Sequence, residues 1–400
     1  MEAILRLQGY HTPTAFWIPS EVPGEIVPNT RFAERFVGPT QARMPRSVRI
    51  QEHPTDQRLR IVVFGESAAL GDPEPAFGMS RCLEALLENR LGGRPVEVIN
   101  TSITALNSFA FREAARDSRR LRADFWVVYA GNNEVVGPFG PASMNGGSRL
   151  GLATTRLGLR FRETALGQWF TERQSAQGEG LSLAQRWVGM EQFLDRQLSW
   201  DDPRLPAMRE NFRANLRDVI ELGLGAGAQV VLSTMAVNLL DCPPFGSAST
   251  RSTNAPIFSQ WAAAATSARA EDERGAVTEA VAAWTNAASL WPEDAETRYR
   301  LGLAHLNAGN LPTGRADLEL ARDLDTLRFR ADSQINQVTR DLAQEFASRS
   351  VRFVDADREL RGTDPDRHSR GRVRRGRFAG SARRLWTIPR HRDPPGFPGM

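Results

Sequence analysis

Runs of apolar, β-branched residues recur along the chain, each followed by a turn and a stretch with helical spacing. Leu59-Arg60-Ile61-Val62-Val63-Phe64 has the make-up of a buried strand and ends at Gly65-Glu66-Ser67. A helix is predicted around Ser80–Glu88, with Leu83, Leu86 and Leu87 on one face. Val96-Glu97-Val98-Ile99-Asn100 predicts a second strand, Phe109–Arg122 a helix, and Phe125-Trp126-Val127-Val128-Tyr129 a third strand that closes at Gly131-Asn132-Asn133-Glu134. A helix around Arg209–Leu224 leads to a fourth strand, Gln229–Ser233, and a helix at Ser333–Phe346 precedes a fifth, Val351–Asp355. Strands alternating with helices at this spacing predict an α/β fold with a parallel sheet covered on both faces. Ligands of such sheets bind at the carboxyl ends of the strands, where the Ser67 and Asn133 clusters fall.

Residues 1–57 mix proline, glycine and polar residues without a clear period and read as a wrapping segment. Residues 58–255 read as the sheet domain, interrupted by a helical insertion at about 138–205. Residues 331–360 supply its last helix and strand, and 361–400 form an Arg/Pro/Gly-rich tail. Between them, in 256–330, small residues recur 34 positions apart: Ala268 and Gly302, Gly275 and Gly309, Ala280 and Gly314, Ala287 and Ala321. With Pro292 closing the first unit, this resembles tetratricopeptide repeats; generic alanine-rich helical hairpins are the alternative.

Composition narrows the function classes. The chain has 400 residues, 41% of them apolar, which suits folded domains rather than a disordered chain. No apolar run approaches a bilayer span. Two cysteines, Cys82 and Cys242, exclude a disulfide framework and zinc-ribbon spacing. All 51 basic residues are arginine, so no phosphate loop with its lysine exists. The basic character is local. Residues 361–400 hold 11 arginines against 3 aspartates, while the first 360 hold 40 arginines against 44 acids. A basic body built for nucleic acid is not indicated.

Ser67 follows a strand and precedes a helix, a place that suits either a nucleophile near N–H donors or a plain helix cap. Asn133, past the third strand, reads as an oxyanion donor or an ordinary loop residue. Taken together, the blocks Gly65-Glu66-Ser67-Ala68-Ala69, Asn100 to Ser108 and Gly131-Asn132-Asn133-Glu134, in that order, resemble the SGNH (GDSL-like) ester hydrolases. The resemblance implies a flavodoxin-like sandwich, no cofactor and no metal. It gives Ser67 the role of nucleophile. The oxyanion donors would be the Ser67 and Ala105 N–H groups and the Asn133 amide. Ala105 stands where the family has glycine, and Glu66 where it has aspartate. Gly71 to Gly78, Asn132 to Gly140, Asp241-Cys242-Pro243-Pro244-Phe245 and Ala321 to Arg330 further resemble a bacterial subgroup with tetratricopeptide repeats inserted before the last strand. That subgroup carries an apolar membrane helix upstream of the segment resembling Leu5 to Tyr10. The resemblance therefore implies membrane association and an extracytoplasmic site, although this chain carries no anchor or signal as written.

One part is missing. The family's base lies in a D-x-x-H block, and none of His11, His53, His305, His368 and His391 has an aspartate three residues before it. His305 reads as a helix-packing residue, and His368 is the weak candidate near the right place. Where the block belongs, the sequence turns to arginine, proline and glycine, a mixture that out-of-frame translation of GC-rich coding sequence produces; a divergent tail and a basic arm are the other readings. The expectation is a serine esterase for an acyl ester, an acetylated saccharide by resemblance, impaired in this chain. The rival is a non-catalytic scaffold whose repeats bind a protein or peptide. No nucleic-acid partner is expected.

Overall fold

The protein's structure, a computed structural model, describes residues 1–144, 151–177, 190–251 and 256–362. Its centre is a sheet of β4 (Leu59–Gly65), β5 (Val96–Asn100), β6 (Phe125–Tyr129), β7 (Gln229–Ser233) and β8 (Val351–Val354). All neighbours are parallel, in the order β5-β4-β6-β7-β8. Counted along the chain this is 2-1-3-4-5, the flavodoxin-like order, whose ligand crevice opens where the order reverses, here between the ends of β4 and β6.

Strand β4 is buried along its whole length and its alternate residues serve two cores. Val62 and Phe64 join the main cluster with Trp126, Val128, Val230 and Leu232. Helices α2 (Ser108–Ser118), α3 (Leu205–Gly225) and α8 (Ser333–Glu345) cover that face with Phe109, Phe212, Leu216, Ile335 and Leu342. Ile61 and Val63 point the other way, to Leu83 and Leu87 of α1 (Met79–Arg90). The continuous apolar run thus comes from burial on both faces of a parallel sheet.

The N-terminal segment is more ordered than its composition suggests. It carries a small antiparallel sheet of β1 (Trp17–Pro19), β2 (Glu25–Pro28) and β3 (Ile50–Gln51). Strands of two to four residues are too short to show an alternating period. Phe16, Trp17, Phe32 and Phe36 extend the main core. The Trp17 indole donates to Ser118 Oγ at 2.9 Å, and Asp117 accepts from the Phe16 N–H at 2.6 Å.

Helices α4 (Phe258–Arg274), α5 (Val277–Leu290), α6 (Ala295–Asn307) and α7 (Leu311–Leu324) form two consecutive pairs. The residues 34 apart occupy matching places. Gly275 and Gly309 take left-handed φ of +71° and +80° in the turns after α4 and α6. Ala287 and Ala321 are both buried. Gly302 and Gly314 face each other so closely that a Cβ on either would sit 2.8–2.9 Å from the other's carbonyl oxygen. From α7 the chain returns through a buried polar turn. There Asp325 accepts N–H bonds from Phe245 and Gly246, both at 3.0 Å, and Asp332 caps α8 by accepting from Ile335 N–H at 2.8 Å. Among the described residues no helix is long and apolar enough to cross a membrane.

Candidate active site at the ends of the first and third parallel strands

Strand β4 ends in a backbone that leaves no room for side chains. A Cβ on Gly65 would run into the Tyr129 carbonyl of β6. Glu66 is extended (φ −122°, ψ −156°), and Ser67 opens a four-residue helix, Ser67–Leu70, closed by Gly71 at φ +96°. Ser67 is therefore the first residue inside the helix rather than its cap, a position that Glu66 holds without a side-chain capping bond. The half-buried Ser67 hydroxyl is thus not committed to capping, as its simplest structural role would have required.

The second block is braced against this turn. Asn100 donates from Nδ2 to the Ala69 carbonyl and to Ser80 Oγ, both at 2.8 Å, and accepts from the Ser102 N–H at 3.0 Å. Thr104 donates to the Asp72 carboxylate. Ala105 then takes φ +64°, the left-handed region where a side chain costs about 1–2 kcal/mol. That is a physical reason for glycine at this position, and the alanine keeps the N–H orientation that glycine would give.

In the third block Gly131 has φ +140°, and a Cβ there would meet Ile335 Cγ2 of α8 at 2.6 Å. Asn132 Oδ1 accepts from the Ala331 N–H at 3.0 Å, which ties the block to the turn after α7. Asn133, 7% exposed, donates one amide N–H to the Leu106 carbonyl at 3.0 Å, next to Ala105. Among the described residues no acceptor takes the other N–H of that amide.

Two carboxyls missed by the sequence reading as site residues underlie these blocks. Glu66, 0% exposed, accepts N–H bonds from Gly131 (3.2 Å) and Asn132 (2.9 Å). Glu134, 2% exposed, accepts from Ser108 N–H and Oγ–H, each at 2.8 Å, and Asn215 donates to the same Oγ at 3.0 Å. Burial, and then the charge of Glu134, push the Glu66 carboxyl well above the ordinary carboxylate range. Burial raises Glu134 as well, against the two bonds from Ser108. Two buried carboxyls this close favour keeping at least one proton between them at neutral pH. The only signal in the sequence was the glutamate standing beside the serine.

The structure brings Ser67, Ala105 and Asn133 to one end of the sheet, and among the described residues no histidine is bonded to Ser67. His11 Nε2 lies 3.3 Å from the Glu163 carbonyl in the N-terminal segment, and His53 is exposed. His305 lies 3.8 Å from Asp317 between α6 and α7, as a packing residue does. None of the three is hydrogen-bonded to Ser67. His368, His391 and residues 363–400 lie outside the described residues. At the end of β8, Asp355 accepts from Thr234 Oγ1 and from Arg340 Nε, both at 2.9 Å. Burial there works to raise its carboxyl, but the Arg340 and Thr234 bonds outweigh it and hold the group below the usual aspartate range. Among the described residues no group of three or more His, Cys, Asp or Glu is placed to hold a metal ion.

No protein family's sequence profile matches the chain, and no curated protein does. Among solved structures, the chain is similar to TesA at 11% identity, over 66% of this chain and 99% of that one, with a TM-score of 0.24. It is similar to the lipase/acylhydrolase from Enterococcus faecalis at 19% identity, over 44% and 75%, with a TM-score of 0.21. A third is a presumed acylhydrolase from Bacteroides fragilis, at 14% identity over 46% of this chain, with a TM-score of 0.23; the chain spans about half (51%) of its length. At such low likeness the assignment of an α/β, flavodoxin-like fold stands on the chain's own strand order.

Proposed function

We propose that the crevice between β4 and β6 is an SGNH-type acyl-ester hydrolase site with Ser67 as nucleophile. Ser67 Oγ attacks the ester carbonyl, and the oxyanion takes hydrogen bonds from the Ser67 N–H, the Ala105 N–H and the Asn133 amide. The alcohol leaves with a proton, and water then releases the acyl group from the serine. The observation that carries this reading is the conjunction at one crevice of an uncapping serine, a left-handed residue and a buried amide bonded beside it. The substrate class is an acyl ester, an acetylated saccharide by resemblance, on a bacterial protein whose relatives by resemblance are membrane-anchored and extracytoplasmic.

The proton of Ser67 needs a base, and no described histidine is bonded to it. Loss of the base in a serine triad costs on the order of 10⁶ in turnover. The chain as written is therefore expected to hydrolyse p-nitrophenyl acetate no faster than its Ser67→Ala variant; turnover far above that control overturns the impairment. The second reading rests on the same missing base and on the close-packed helix pairs α4–α7. It takes those pairs as tetratricopeptide-like repeats that hold a protein or peptide on an inert sheet domain, and it leaves Ser67 without special reactivity.

A further inference from the structure

Asn133 can serve an oxyanion only if its amide is held still; the amide is bonded to the Leu106 carbonyl, and the turn that leads into it is bonded to one side chain. Glu66 is covalently next to Ser67, so its carboxylate moves with the nucleophile. The Glu66 carboxyl group takes the N–H groups of Gly131 and Asn132, the two residues that lead into Asn133. The Gly131 N–H lies 3.2 Å from both carboxyl oxygens and the Asn132 N–H 2.9 Å from one of them, so both oxygens are used as acceptors. The turn also has little freedom to settle elsewhere, because Gly131 lies against Ile335 and Asn132 is bonded to Ala331. Beyond Asn133, Glu134 is fastened to Ser108 at the start of α2.

We propose that Glu66 is a positioning residue: it links the backbone of the nucleophile to the Gly131–Asn133 turn and so fixes the distance between Ser67 and the Asn133 amide. This rests on the acyl-hydrolase reading above. Aspartate at this position would make the same link one methylene shorter. Glutamine would turn an NH₂ group toward N–H donors and push the turn away.

The test is the rate at which a fluorophosphonate modifies Ser67, followed by mass spectrometry in imidazole buffer, which supplies a soluble base. Glu66→Gln, Asn133→Ala and the double variant are compared with the parent chain. Removing one oxyanion donor costs about 10²–10³. Glu66→Gln is expected to slow the reaction by roughly 30-fold in the parent, and by less than about 3-fold where Asn133 is already alanine, because it acts through that amide. The same loss in both backgrounds, or none in the parent, overturns the proposal. If Glu66→Gln does not fold, Glu66→Asp carries the cycle, with a loss of roughly 5-fold in the parent that disappears in Asn133→Ala. No modification of Ser67 in the parent is a different result, and it overturns the acyl-hydrolase reading itself.

Discussion

The close contact between α6 and α7 offers a sharp prediction. A methyl group on Gly302 of α6 would sit 2.8 Å from Leu318 Cγ and 2.9 Å from the Gly314 carbonyl oxygen of α7. That is about 0.6 Å or more inside ordinary carbon contact, so α6 and α7 must move apart. Overpacking of this kind costs about 1–3 kcal/mol, while removing a glycine from a helix interior returns about 0.5–1 kcal/mol. Gly302→Ala is therefore expected to destabilise by about 1 kcal/mol. The control is Gly158 in the helix Leu152–Phe161, where a Cβ meets nothing within 4 Å. Gly158→Ala keeps only the helix gain and should stabilise by about 0.5–1 kcal/mol. Urea unfolding followed by circular dichroism reads both, with equal slopes required for the comparison. Gly302→Ala as stabilising as Gly158→Ala would refute the claim that the small residues 34 apart exist to bring these helices together.

Other outcomes follow from the site. Ala105→Gly relieves the left-handed alanine and should stabilise by up to about 1 kcal/mol after the extra chain entropy of glycine; loss of stability on urea titration would speak against the backbone assigned there. Glu134 is raised by burial, so the folded state holds a proton that the unfolded chain releases, and stability falls as pH rises from the ordinary glutamate range toward neutrality. Glu134→Gln removes that titrating group and should flatten the fall in melting temperature over this range. Asp355 is held below the usual aspartate range chiefly by Arg340, once the opposing effect of burial is overcome. Its contribution is present above the unfolded value and is lost as pH drops through the folded one. Arg340→Ala, which also removes the Arg340 bond to Asp357, should destabilise by about 1–3 kcal/mol at neutral pH and weaken the acid dependence in melts below pH 4.

The sheet was readable because β4 is buried on both faces and its neighbours also carry apolar, β-branched runs. Val96–Asn100, Phe125–Tyr129 and Gln229–Ser233 lie where their apolar runs placed them, and β4 and β8 differ by one terminal residue. The Phe109–Arg122 helix was overextended: α2 stops at Ser118, and Arg119–Leu121 tightens into a 3₁₀ turn. Leu205–Gly225 starts earlier than its periodicity suggested, with Pro206 in the first turn. The N-terminal sheet was invisible because strands of two to four residues have no period to read, and their support comes from α2, about 100 positions away. That Ser67 and Asn133 fall within a few residues of the carboxyl ends of β4 and β6 was legible from the strand pattern. Glu66 and Glu134 were not read as site residues, because a buried carboxyl is recognised by the N–H groups around it, and Gly131, Asn132 and Ser108 reach it only in the fold.

The central proposal is that Ser67 faces an oxyanion site, with no base bonded to it among the described residues. Fluorophosphonate treatment of the 400-residue chain, with and without imidazole and with mass mapping of the modified residue, tests it most directly. The account predicts modification at Ser67 alone, accelerated by imidazole, absent in Ser67→Ala and slowed about 100-fold in Asn133→Ala. An unmodified Ser67 under both conditions would contradict it and bring the scaffold reading forward.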